Sequence, residues 1–236
     1  SREVVQGIDR YCLWIDDKDL PLAQSIPEIQ RRLDAVSAFR SDSKASVTQE
    51  AADRPHRFGQ ITGNGVPINH AILVPRVTSE RRPYLPVARV DANVVASDLN
   101  QVIYDAPDWC ISIIGSRLHL AWIATVCGRL KSDFRYSSTL GWHIFPVPAF
   151  TESQLELLSQ SARTILKTRY KHHPATIADL YDPDKMPEDL RAAHRANDEL
   201  LESMYIGRPF KTDTERLEHL FKLYVARVKK LKKEAA

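Results

Sequence analysis

The chain has 236 residues, 43% of them hydrophobic and 27% charged, with a formal net charge of +3. That suffices for one large cored domain or two small ones, and so slight a positive excess does not by itself establish an anionic partner. Three cysteines, Cys12, Cys110 and Cys127, with no CxxC pair, argue against a disulfide framework and a zinc ribbon, and fit small core residues in a reducing cytosol.

The sequence opens on Ser1-Arg-Glu-Val, which is neither a Met start nor a signal peptide, and it reads as the interior of a longer protein. Tyr11–Ile15 is aromatic and β-rich and predicts a short strand. Ser25 and Pro27 predict a helix start, with Ile26, Ile29, Leu33, Val36 and Phe39 as its apolar stripe. Residues 41–57 are polar and read as a linker or mobile loop. Strands are expected at Ala71–Val77, Tyr84–Val90, Asn93–Ala96 and Gln101–Tyr104, with Pro75, Pro83 and Pro86 pointing to edges or bulges. The most apolar stretch, Trp109–Gly128, is interrupted by Ser116, Arg117 and His119; it reads as a central buried helix and not as a membrane span. Thr139–Phe145 reads as a strand closed by Pro146 and Pro148.

Beyond residue 150 the pattern turns helical. Thr151-Glu-Ser-Gln154 and Thr212-Asp-Thr-Glu215 are capping boxes. Pro187-Glu-Asp starts a further helix that stops near Gly207. The last stripe runs through Leu217, Leu220, Phe221, Tyr224, Val228 and Leu231. The expected fold is therefore α+β: a mixed-sheet domain over 1–150 around a central apolar helix, then a helical unit over 151–236.

Catalytic motifs are missing from the sequence. Gly63-Asn-Gly65 is a lone turn signal and not a nucleotide-binding loop, and there is no P-loop, HExxH or GxSxG. His172-His173 reads as a solvated turn between helices, since a metal pair would need a third ligand nearby. A hydrolase reading with His143 and Asp133 as an acid–base pair has no nucleophile to join it.

The informative segment is Gly128-Arg-Leu-Lys-Ser-Asp-Phe-Arg-Tyr-Ser-Ser138. If Leu130–Ser137 is extended, Lys131, Asp133 and Arg135 share one face, ~6.5–7 Å apart. Spacing alone favours a solvated face of alternating charge. The functional alternative is base-edge reading: lysine donates to guanine O6 and N7, and aspartate accepts from the cytosine N4 amine.

That segment, followed by Trp142-His-Ile-Phe-Pro-Val-Pro148, resembles the MmeI-like type IIL restriction–modification enzymes. The resemblance extends to Arg10-Tyr-Cys-Leu-Trp-Ile15, Ile72-Leu-Val-Pro-Arg-Val-Thr-Ser79, Tyr84-Leu-Pro-Val, Leu180–Leu190 and Tyr205-Ile-Gly-Arg-Pro-Phe210, and so to nearly the whole chain. In that family one polypeptide joins a nuclease region, a helical connector, an adenine-N6 methyltransferase domain, a target-recognition domain and a C-terminal helical region. This chain resembles the last two. The resemblance implies duplex DNA and the parent's methyltransferase domain as partners, S-adenosylmethionine bound outside this chain, and methylation of an adenine flipped from the duplex.

The family's specificity positions map onto Lys131, Asp133 and Arg135, with a further position at Leu99. Arg76, Arg81, Arg82 and Arg129, with Ser132, Tyr136 and Ser137, are the candidates for phosphate contact. Lys211 and Lys229–Lys233 are weaker ones, because helix-end solvation explains them equally well. The alternative function is a stand-alone specificity or protein-interaction subunit that recruits a separate methylase.

Overall fold

In the computed structural model, which describes residues 2–8, 10–58 and 68–234, helices begin where proline or a capping hydroxyl permits and strands lie where β-branched residues run. In chain order the elements are α1 (Arg2–Gln6), a 3₁₀ turn (Asp17–Asp19), α2 (Leu20–Gln24), α3 (Pro27–Ser41), α4 (Ser46–Gln49), β1 (His70–Pro75), β2 (Val77–Thr78), β3 (Ala88–Asp91) and β4 (Asn100–Tyr104). They continue with α5 (Trp109–Ile114), α6 (Arg117–Val126), β5 (Gly128–Leu130), β6 (Asp133–Arg135), a π-helical turn (Ser138–His143), α7 (Glu152–Lys171), α8 (Ile177–Leu180), α9 (Glu188–Ile206) and α10 (Asp213–Glu234). Residues 9–65 form one unit, and residues 1–8 with 66–236 form another. No helix among the described residues is long and apolar enough to cross a membrane.

In the 9–65 unit, Leu33 of α3 buries against Ile15 and Ala23, with Leu20 and Ile29 beside them. The stripe is covered only in part, for Phe39 is 76% exposed. Ser25 does not cap α3: its hydroxyl donates to the Leu22 carbonyl at 2.7 Å, and Ile26 takes the cap position. The expected strand at Tyr11–Ile15 does not form: among the described residues of the unit there is no neighbouring strand to offer it a ladder. The expected linker, 41–57, is instead folded back on α3. The Arg40 guanidinium donates to the carbonyls of Ala51, Arg54 and Arg57 at 2.8, 2.8 and 2.7 Å, so one side chain satisfies three turn carbonyls.

The larger unit is built on an antiparallel sheet of order β3-β1-β4. β1 is central and buried on both faces: Ile72 and Val74 join the main core, while Ala71 and Leu73 pack with Ala88 and Val102. Pro75 therefore closes a central strand, opposite Asn100, and does not mark an edge. Its missing N–H is tolerated at the last ladder position. Tyr84–Leu85 lies outside any strand, β3 begins only at Ala88, and Asn93–Ala96 contains a turn.

The apolar stretch at 109–126 is two helices, not one. Ser116 ends the first turn of chain direction and caps α6, its hydroxyl accepting from the His119 N–H at 3.1 Å. A Cβ at Gly115 would lie 2.9 Å from the Ile111 carbonyl, so only glycine fits the break. Residues 139–145 are likewise not a strand. Gly141 donates its N–H to the Ser137 carbonyl at 2.6 Å, and a Cβ there would crowd the Tyr136 ring at 3.1 Å.

The C-terminal helices start and stop as their local chemistry dictates. Thr151 and Gln154 exchange both capping-box bonds. α9 carries Glu188 and Asp189 in its first turn and ends on Gly207 at φ 77°. The second box is half formed: Glu215 donates its N–H to Thr212, but its carboxylate turns to the Lys211 N–H and to Arg208. α8, absent from the sequence reading, is fixed by a third box, Thr176–Asp179. Ser112 of α5 and Ser161 of α7 both donate to Asn197 of α9, at 2.6 and 2.8 Å, and Leu158, Leu201 and Leu220 extend the core formed by α5 and α6. The fold is α+β, with two small antiparallel sheets and a helical C-terminal region.

Candidate nucleic-acid interface

The second sheet has order β2-β6-β5. Gly128, Arg129 and Leu130 pair with Arg135, Phe134 and Asp133, and Val77 and Thr78 pair with Arg135 and Phe134. Leu130–Ser137 is thus not one extended run, as the sequence reading supposed. It is a hairpin, with Lys131 and Ser132 as its two-residue loop and Lys131 in the left-handed region at φ 57°. Partners directly opposite in a ladder share a face. Phe134 and Thr78 face inward and are buried, with the Arg129 guanidinium 4.7 Å from the Phe134 ring centre. Asp133, Arg135 and Leu130 face the other way. Asp133 and Arg135 therefore project together as expected, but Lys131 leaves their row and stands at the tip.

Lys131 and Arg135 are exposed and Asp133 half-buried. Among the described residues none of the three side chains has a hydrogen bond or ion pair. The surrounding cations are committed. Arg129 donates to Glu80 at 2.8 Å and to the Ser132 carbonyl at 2.7 Å, tying the loop to the β2 side. Arg81 pairs with Asp184 at 2.8 Å. Arg82 donates to the Thr78 hydroxyl at 3.1 Å. Burial pushes that guanidinium below its usual range, against the opposing pull of Asp133 and Asp182.

Arg76 links two separate stretches of sequence. Its N–H donates to the Leu99 carbonyl at 3.0 Å, and its carbonyl accepts from the Tyr136 N–H at 2.8 Å. Leu99, 50% exposed, is thereby held on the far side of Arg76 from Tyr136. The Arg76 side chain donates to the Asp98 carbonyl at 2.9 Å. Ser132 is exposed at the tip, and the half-buried Ser137 accepts from the Leu140 N–H at 3.3 Å.

Tyr136 does not fit the phosphate role suggested for it. It is 3% exposed, and its hydroxyl meets His119 Nε2 at 3.1 Å. His119 was missed in the sequence as a functional support. Burial drives its imidazole down to about 3, so it is neutral beneath the hairpin, and Phe145 packs edge-on against it. Its only sequence signal is a histidine inside an apolar helix. Asp133 and His143 share no hydrogen bond, and His172 binds Asp189 at 2.7 Å. Gly63-Asn-Gly65 lies outside the described residues.

The comparisons with known proteins concern the whole of this architecture. Residues 1–149 match the family model for the MmeI target recognition domain, and residues 150–232 match that for the MmeI C-terminal domain. DNA methyltransferase A of Bacillus subtilis (strain 168) is 36% identical over 224 residues, covering 95% of this chain and 25% of the relative. The chain thus spans about a quarter of that protein's length. A solved structure of the type IIL restriction–modification enzyme MmeI in complex with DNA matches with a TM-score of 0.90 and 32% identity, over 96% of this chain and 30% of that one. Because the first model alone takes in more than half of the residues, and the second continues it to residue 232, this chain belongs to the MmeI target-recognition family, with that family's C-terminal domain attached.

Proposed function

We propose that this chain is the duplex-DNA-reading part of a site-specific adenine-N6 methyltransferase of the restriction–modification type, with residues 1–150 as the reading domain and 151–236 as its helical support. The observation that carries the reading is the β5–β6 ribbon at one side of the three-stranded sheet: among the described residues its three polar side chains, Lys131, Asp133 and Arg135, have no hydrogen bond or ion pair, while the neighbouring Arg129 and Arg81 are tied down. The major groove, ~12 Å wide, admits such a ribbon. There Lys131 would donate to guanine O6 and N7 while Asp133 accepts from the N4 amine of the paired cytosine, so that one G·C pair is read from both sides. Arg135, one step along the same face, takes a neighbouring base or phosphate, and Leu99 flanks it. Arg76, Arg82 and the exposed Ser132 hold the backbone, and Arg81 and Arg129 join them by exchanging carboxylates for phosphates.

Support comes from the relatives, a named DNA methyltransferase and a restriction–modification enzyme solved on DNA. S-adenosylmethionine would be held elsewhere in the parent. The residues here do not fit that cofactor: both sheets are antiparallel, and β1 runs straight into Arg76-Val77 with no glycine-rich turn opening a helix.

The test is duplex affinity of the full-length protein at several salt concentrations, with Lys131→Ala and Asp133→Ala beside the parent. Both variants are expected to lower specific binding and leave binding to unrelated duplex unchanged, since base contacts carry sequence and phosphate contacts do not. Equal losses on specific and unrelated duplex would refute base reading.

A further inference from the structure

We propose that Leu130 is a specificity-determining residue that packs on the C5-methyl group of a thymine next to the G·C pair read by Asp133. The inference rests on the DNA-reading proposal and deepens it. Leu130 is the ladder partner of Asp133 and so lies on the same outward face, its Cβ about 4.5–5.5 Å from that of Asp133. It is 54% exposed, although Phe134, one position away on the opposite face, is buried. Nothing in the fold requires leucine there: the inward packing is done by Phe134, Thr78 and the Arg129 guanidinium.

Across from Arg135 stands Gly128, where an added Cβ would meet no atom within 4 Å. The outward face thus bears Leu130, Asp133 and Arg135, with Gly128 leaving space on one side of Arg135 and the half-buried Val77 on the other. In the major groove the apolar group displayed on a base edge is the thymine methyl. With Asp133 on a cytosine, a side chain about 5 Å away across the ribbon spans the roughly 3.4 Å rise to the adjoining base.

The experiment uses the full-length protein and its determined recognition sequence. Each thymine within or beside that sequence is replaced singly by uracil, which removes only the methyl group, and duplex affinity is measured at fixed salt. One uracil position, adjoining a G·C pair, is expected to weaken binding by about 3- to 10-fold, the value of one buried methyl contact. Leu130→Ala is expected to bind the thymine and uracil duplexes equally, and Leu130→Met to keep the preference. Thermal melting of both variants close to that of the parent is expected for so exposed a side chain, and keeps the comparison free of folding effects.

The proposal is overturned if no uracil position matters, if no thymine adjoins a G·C pair in the recognised sequence, or if Leu130→Ala retains the preference. Exchanging the charges of Lys131 and Asp133 separates the two levels. A changed recognition sequence with a flat uracil scan removes Leu130 alone, and an unchanged sequence with a flat scan removes the hairpin reading with it.

Discussion

Replacing Lys131 by glycine separates the conformational cost of the hairpin loop from what the loop reads. Lys131 sits at φ 57° with its ammonium unpartnered, so the folded chain loses no internal contact when the side chain is removed. An L-residue in the left-handed region costs roughly 1–2 kcal/mol. Glycine avoids that cost but gives up about 0.5–1 kcal/mol through its freer unfolded chain. The balance favours Lys131→Gly by about 0–1.5 kcal/mol, a rise in Tm of up to about 6 °C for a chain of this size. On the proposed reading the same change also removes one base contact, for which roughly 1–3 kcal/mol of discrimination is expected, or about a 5- to 150-fold loss in the ratio of specific to unrelated duplex binding. Calorimetric melting and duplex titration of the same preparation give both numbers. A variant that melts lower, or that melts higher while keeping full discrimination, would refute the reasoning.

Three further outcomes follow from the same residues. Tyr136→Phe removes the buried hydrogen bond to His119 and should cost about 1–3 kcal/mol in stability, read by denaturant unfolding, while the recognised sequence stays the same. Arg76→Ala should weaken binding to all duplexes alike and reduce the slope of log affinity against log salt by about 1. Acid titration tests the buried groups. His119 and His194 are pushed by burial from 6.5 to about 3, so between those values the unfolded chain takes up protons that the folded chain refuses, and stability falls as pH is lowered. Asp198, raised by burial from 3.8 to about 7, acts in the opposite sense, because the folded chain holds its proton first. Between about pH 6.5 and 3.8 two groups against one leave a net acid loss from these three of at most about 1.4 kcal/mol per pH unit, and Asp198→Asn should steepen it there.

What could be read from the sequence was local. The Thr151–Gln154 box, the acids after Pro187 and the stop at Gly207 each depend on residues within one turn, and each forms as read. The shared face of Asp133 and Arg135 is a parity rule and survives the hairpin. The loop between them was not legible because Lys131-Ser132 carries neither glycine nor asparagine, the usual marks of a two-residue turn. Gly115-Ser116 was hidden inside an apolar run, and the π-helical turn at 138–143 imitated strand alternation. The long-range arrangements had no local signal at all. Glu80 holds Arg129 across 49 residues, and the backbone of Arg76 bridges Leu99 and Tyr136. In each case the partner is chosen by the folded core and not by neighbouring sequence.

The most direct test of base reading is to exchange the two charges, Lys131→Glu with Asp133→Arg, in the full-length protein and to map methylated positions by sequencing. If these side chains contact opposite halves of one base pair, a single position of the recognised sequence changes from G·C to C·G and the rest is retained. Methylation of the original sequence by the exchanged protein would contradict the assignment.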